Sequence, residues 1–186
     1  EASGITYSPV TNSLWVITRR PPAVMEYGID GRKLRQVSHK GLRDPEGITW
    51  MYGYTFAVAT EGGGEAKIVI MNVLPWERSV DVLRTLVLRE VRCKTNFCFE
   101  GVTYDMYKNI FYAVQEMDPM SVWMVTPSGK GTKILNEQTR FPGMRDLAGI
   151  YYMAPEDRLF VLSQTEQKVA ELSWDGKIVD GQIIPV

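Results

Sequence analysis

Residues Cys98–Glu116, CFEGVTYDMYKNIFYAVQE, decide how the chain is read. A strongly apolar, β-branched and aromatic segment opens there with a carboxylate and a glycine, Glu100-Gly101. The same device returns three times: EASGITYSPVTNSLWVIT from Glu1, DPEGITWMYGYTFAVAT from Asp44 and DLAGIYYMAPEDRLFVLS from Asp146. Four copies of one pattern make this a repeat protein. Aligned on Gly4, Gly47, Gly101 and Gly149, the copies lie 43, 54 and 48 residues apart. That spacing suits propeller blades of four strands each. Helical repeats of similar length need apolar residues three to four apart, whereas this sequence alternates.

Four short strands can be read in each unit. The first follows the glycine (GITYS, EGITW, EGVTY, GIYYM) and the second is the most apolar (SLWVITR, YTFAVAT, NIFYAVQ, RLFVLSQ). The third reads AVMEYG, KIVIMN, SVWMVT and KVAELSW, and the fourth, more polar, KLRQVSH, RTLVLRE, TKILNE and GQIIPV. Such a gradient is what stacked blades require, since inner strands are buried on both faces and outer ones meet water. Asp30-Gly31, Ser128-Gly129 and Asp175-Gly176 supply turns between third and fourth strands. The expected fold is therefore an all-β propeller forming a single domain over 1–186, with blades at about 1–40, 41–92, 93–140 and 141–186. The longest spacing holds PWERSVDVLRTL, read as a loop leading into an outer strand.

Composition excludes several functions. The 186 residues are 45% hydrophobic and 23% charged, a globular balance. A net charge of −1 leaves no basic field for a nucleic-acid backbone. No run of about 18 apolar residues is present to span a membrane as a helix. Opening at Glu1 without an initiator Met or signal sequence, the chain is expected to be a mature product or a fragment. Cys93 and Cys98 are half of a zinc site at most. They are either a disulfide, which suits an extracytoplasmic or organelle-lumen setting, or two buried thiols.

The motifs EASGI at Glu1–Ile5, TRRPPAVMEY, DPEGI, TNFCFEGVTY and DLAGI occur in that order, and together they resemble the SdiA-regulated family of bacterial β-propellers (YjiK-like proteins). The similarity covers essentially the whole sequence. Members of that family carry a further C-terminal blade, whereas this sequence stops at GQIIPV. The resemblance thus implies a five-bladed parent of which four blades are visible, incomplete at the C-terminus. The family brings a fold and no firmly assigned chemistry.

Residues two apart on a strand share a face. If the glycine-led strands are innermost, Glu1, Asp44, Glu46, Glu100 and Asp146 gather around one mouth of the central channel. Five close acids repel one another unless a cation or arginines neutralise them. One reading is an oxygen-ligated cation, with Ca²⁺ as the candidate cofactor and Glu46 and Glu100 as the candidate ligands. The other is that each acid caps its own blade by accepting backbone N–H bonds. The far ends of the second strands add Arg19, Arg20, Glu61 and Glu116, which either form inter-blade salt bridges or, through the arginines, grip an anionic ligand. A catalytic triad fails on inventory, because the single histidine, His39, reads as a solvated turn residue. EGGGEAK, Glu61–Lys67, lacks the G-K-[ST] ending of a phosphate loop. Trp76, Met117 and Met120 are candidates for an exposed contact surface.

The function expected from this reading is a non-enzymatic binding or scaffold module. A metal-dependent lactonase or esterase on a propeller is the enzymatic alternative, and a structural subunit of a larger assembly is the third. A four-bladed part of a five-bladed ring leaves a wedge, to be filled by the fifth blade or by a protein partner.

Overall fold

The structure is a computed structural model that describes residues 1–39, 41–94, 97–135 and 143–185. Four antiparallel sheets of four strands follow one another in sequence, the arrangement of a β-propeller. Blade 1 contains β1 (Ala2–Ser8), β2 (Ser13–Thr18), β3 (Ala23–Gly28) and β4 (Lys33–Ser38). Blade 2 contains β5 (Pro45–Tyr52), β6 (Thr55–Thr60), β7 (Ala66–Asn72) and β8 (Asp81–Leu88). Blade 3 contains β9 (Phe99–Asp105), β10 (Ile110–Gln115), β11 (Ser121–Val125) and β12 (Gly131–Leu135). Blade 4 contains β13 (Gly149–Met153), β14 (Arg158–Ser163), β15 (Lys168–Ser173) and β16 (Ile178–Pro185). Thr95 and Asn96 of the TNFCFEG motif and Asn136-Glu137 of TKILNE lie outside the described residues.

Local chemistry explains the elements. Each second strand is a short run of β-branched and aromatic residues, and β6 is buried at every position. The outer strand β8 has six of its eight residues exposed. Gly31 and Gly176 (φ 81° and 85°) stand where the turns into β4 and β16 need a left-handed residue, and their amides bond back to Gly28 O and Ser173 O at 2.9 Å. PWERSV runs as turns into β8 with no helix. A short 3₁₀ turn at Ala154–Glu156 joins β13 to β14.

Three apolar seams hold the blades face to face. Trp15, Ile17 and Val24 meet Phe56, Val58 and Met71 between blades 1 and 2, with Trp15 and Phe56 rings 4.9 Å apart. Ile68 and Leu88 meet Phe99 and Phe111 between blades 2 and 3, and Tyr112 and Val122 meet Leu159 and Leu172 between blades 3 and 4. The first strands approach so closely that a Cβ built on Gly47 lies 2.8 Å from Gly101 Cα, and one on Gly101 lies 3.0 Å from Gly149 Cα. Only glycine allows that approach. Threonine adds a rung between blades: Thr6 Oγ1 accepts from Trp50 N, and Thr103 Oγ1 from Tyr152 N, each at 3.1 Å.

The succession β1 on β5, β5 on β9, β9 on β13 does not return to β1, and no comparable packing joins β13 to β1 among the described residues. A cleft of about 390 Å³ occupies that place and continues into the channel, with Ile5 and Val16 on one side and Ile150 and Leu162 on the other.

Candidate functional site

Antiparallel pairing puts the start of each first strand beside the end of its second strand, so both sets of acids meet at one mouth. Pro45 pairs with Thr60, and Glu61 N donates to Asp44 O at 3.0 Å; Phe99 pairs with Gln115, and Glu116 N donates to Cys98 O at 3.1 Å. Bulges then set the side chains. Ser3, Glu46 and Glu100 each fall in a register shift just before the glycine. The extra residue breaks the two-residue alternation of a regular strand. Glu100 therefore lines the channel while Cys98 and Phe99 are fully buried in the apolar seam, so Glu100 and Cys98 are not co-facial as strict alternation predicts.

Two carboxylate triads result, and they share Glu61. Asp44, Glu46 and Glu61 bring one oxygen each within 4.8 Å of one another, and Glu61, Glu100 and Glu116 do the same. Glu61 is the buried member at 5% exposure, and the others are partly buried. Its Oε1 accepts the Cys98 amide at 2.8 Å and its carboxyl also hydrogen-bonds Glu100. Crowded acids out of water hold their protons. Burial first, then the charges of Glu61 and Glu46, push Glu100 up to about 9. Burial, with Glu61 and Asp44, pushes Glu46 up to about 7, although Ser3 donates to it. Burial also raises Glu61, against the Cys98 amide, and raises Glu116, with Glu61 and Asp146 adding to the effect.

The remaining residues read from the sequence are placed as follows. Arg19 pairs with Asp44 of the next blade at 2.6 Å, and not with Glu61 or Glu116. Arg20 is exposed, and its carbonyl takes the amino terminus of Glu1 at 2.9 Å. Glu1 is itself exposed and stands outside both triads. Asp146 is buried and caps its own blade, accepting from Ser163 Oγ and from Thr165 N at 3.1 Å. Blades 2 and 3 thus bring their acids together, whereas Asp146 of blade 4 serves as the cap that one of the two sequence readings expects.

Cys93 and Cys98 are bonded to each other. His39, expected in solvent, is 3% exposed with Nε2 3.0 Å from Thr18 O. Burial lowers its pKa, so it is a neutral structural residue tying β4 to β2. Trp76 is 76% exposed, whereas Met117 is half-buried and Met120 packs on the seam between blades 3 and 4. The Cys98 amide escaped the sequence reading because a backbone donor leaves no mark in residue type.

Solved structures share the fold at low identity. The protein is similar to a chain of the nidogen/laminin complex (14% identity, TM-score 0.69, covering 98% of this chain and 63% of that one). It is also similar to a putative 6-phosphogluconolactonase from Bacteroides uniformis (12%, TM-score 0.61, covering 100% and 55%). A structural-genomics protein from Bacteroides thetaiotaomicron matches as well (14%, TM-score 0.65, covering 96% and 42%). The chain spans between 42% and 63% of the length of these structures. A sequence profile of the SdiA-regulated family matches residues 1–183, so the chain belongs to the SdiA-regulated family.

Proposed function

We propose that the protein is a non-enzymatic binding propeller whose channel mouth holds a divalent cation, Ca²⁺, between blades 2 and 3. One observation carries this reading: two carboxylate triads share the buried Glu61. Among the described residues a single ion pair, Arg19–Asp44, offsets their charge. Ca²⁺ takes six to eight oxygens and tolerates irregular geometry, which suits donors drawn from several loops. Bound there, it would draw the protons off Glu46 and Glu100 and turn a repulsive cluster into a ligand set. A calorimetric titration of Ca²⁺ at pH 7.5 tests this. Saturable binding lost in Glu61→Gln supports it, and absence of heat at millimolar Ca²⁺ sinks it. The enzymatic alternative, a lactonase or esterase, takes an Asp or His as base; His39 is committed to Thr18 O, which leaves that role to the acids of the cluster itself.

A second observation supports a further proposal. Ile5 lines the cleft and is 62% exposed, and Tyr7 and Tyr151, on the β1 and β13 strands that flank it, are 47% and 60% exposed, whereas Ile48 and Val102 at the place of Ile5 in blades 2 and 3 are buried. We propose that a further blade, or a partner of like shape, occupies the cleft. Adding a further blade's sequence after Val186 should protect Tyr7 and Tyr151 from surface labelling, and unchanged labelling would refute it. The bonded cysteines support a working place in an oxidising, extracytoplasmic or lumenal compartment.

A further inference from the structure

The loop closed by Cys93–Cys98 ends at the wall of the acid cluster. Cys98 contributes its backbone there. Its N–H donates to Glu61 Oε1 at 2.8 Å and its carbonyl accepts from Glu116 N at 3.1 Å. Both acids belong to the triad with Glu100. The Cys98 side chain is fully buried in the apolar seam with Phe99 and Phe111, and Cys93 packs against the same seam, half-buried. Apart from the disulfide and the two Cys98 backbone bonds, the described ties of this loop are a turn bond from Phe97 N to Lys94 O and the exposed Lys94–Asp118 pair at 3.0 Å. An exposed pair of that kind holds a loop weakly.

We infer that the Cys93–Cys98 disulfide is a redox control on the carboxylate cluster: bonded, it fixes the Cys98 amide against Glu61, and reduced, it releases that anchor and weakens cation binding. This rests on the cation reading above. The chemistry is thiol–disulfide exchange with a dithiol. A thiolate of the reductant attacks the half-buried Cys93 sulfur, the S–S bond breaks, and Cys98 leaves as a thiolate. Apolar surroundings disfavour that charge, so Cys98 takes up a proton. The second thiolate of the reductant then resolves the mixed disulfide at Cys93, which also ends as a thiol. Two electrons and two protons pass to the protein, and the dithiol becomes a cyclic disulfide.

Loss of the anchor acts on Glu61 through its position. The Cys98 amide holds Oε1 of the one carboxylate that both triads share. Without it the Glu61 side chain is free to leave the ligand set, and the cation loses a preorganised donor. The expected loss is about tenfold in affinity, the order expected for one hydrogen bond to a charged group.

The test compares the full-length protein before and after dithiothreitol, by hydrogen exchange at the Cys98 and Glu116 amides and by Ca²⁺ titration, with circular dichroism reporting the fold. Cys93→Ser under oxidising conditions gives the open loop without reductant. The expected result is an intact strand signal, Cys98 exchange at least about tenfold faster, and Ca²⁺ binding about tenfold weaker in both reduced and Cys93→Ser protein. Equal Cys98 exchange in the two redox states overturns the inference, whatever Ca²⁺ does. So does unchanged Ca²⁺ affinity with a loosened amide. Loss of the strand signal on reduction overturns it as well, because the disulfide would then be a staple of the whole blade. If Ca²⁺ binds in neither state while Cys98 exchange responds, the cation reading falls and the link from the disulfide to Glu61 stands.

Discussion

Blades 2 and 3 and blades 1 and 4 are built from the same words and end in different surroundings. The first strands read GITW and GVTY in the middle of the array and GITY and GIYY at its ends. Ile48 and Val102 are 4% and 3% exposed, while Ile5 at the same place in blade 1 is 62% exposed. A repeat unit cannot bury its own first strand, and only a neighbouring blade does so. The acids follow the same division. The position before the glycine is Glu46 or Glu100 in the middle blades and Ser3 or Ala148 in the outer ones. Charge is thus concentrated where the blades crowd most.

The sharpest way to break this contrast is to add one methyl group. Gly47→Ala sets its Cβ 2.8 Å from Gly101 Cα and 2.9 Å from Glu100 O and Val102 N, all of them backbone. Backbone cannot yield cheaply, so a loss of about 3 kcal/mol in urea unfolding is expected. Gly149→Ala meets only Leu162, with its Cβ at 3.6 Å, and should stay within about 0.5 kcal/mol of the parent. Similar losses in the two variants would mean that a closed ring also crowds Gly149.

The titration of the middle acids gives the next effect. Glu46 and Glu100 are raised from an ordinary 4.5 to about 7 and about 9. The unfolded chain releases these protons first, so without a cation stability falls as pH rises from about 4.5 to about 9. Glu100→Gln should flatten that fall and gain about 2 kcal/mol at pH 9, less than full linkage because water reaches the channel. Asp146→Asn weakens a buried cap and should lose about 1–2 kcal/mol without flattening the pH profile. A parent profile that stays level from pH 5 to 9 contradicts the account of the cluster.

The inter-blade rung is the smallest of these effects. Thr103→Val leaves the Tyr152 amide buried without its acceptor, at a cost of about 1–2 kcal/mol. Tyr151, at the same position in blade 4, is 60% exposed, and Tyr151→Thr should change stability by less than about 0.5 kcal/mol. Chemical denaturation of the pair measures the difference, and a costly Tyr151→Thr would place an unseen contact on β13.

Much of this was legible in the sequence because strand identity rests on period and composition. All four glycine-led strands, and the second and third strands after them, fall within about two residues of their reading. The site was legible only in part. Strict alternation put Glu100 and Cys98 on one face, and the bulge before Gly101 separates them. Glu61 and Glu116 read only as the far ends of second strands, and antiparallel pairing is what brings those ends to the mouth lined by the first-strand acids. His39 looked polar in its setting of QVSHKG, yet it is buried and its Nε2 meets Thr18 O. Short-range pattern finds strands, while bulges, caps and inter-blade burial depend on residues some 20 to 50 positions away. One device at the opposite end of the blades also left only a faint trace: Tyr7 and Tyr104 each donate to an asparagine five residues on, Asn12 and Asn109, at the hairpin tips.

The proposal places the cation on the acids of blades 2 and 3 and none on those of blades 1 and 4. Thermal unfolding at pH 7.5 with and without about 1 mM Ca²⁺ tests it in four proteins: the parent, Glu61→Gln, Glu100→Gln and Asp146→Asn. Binding to the native state alone raises Tm by mass action. The account predicts a rise of several degrees in the parent and in Asp146→Asn, with little or none in Glu61→Gln and a reduced one in Glu100→Gln. A parent Tm that ignores Ca²⁺, or a rise that survives Glu61→Gln and disappears in Asp146→Asn, would contradict it.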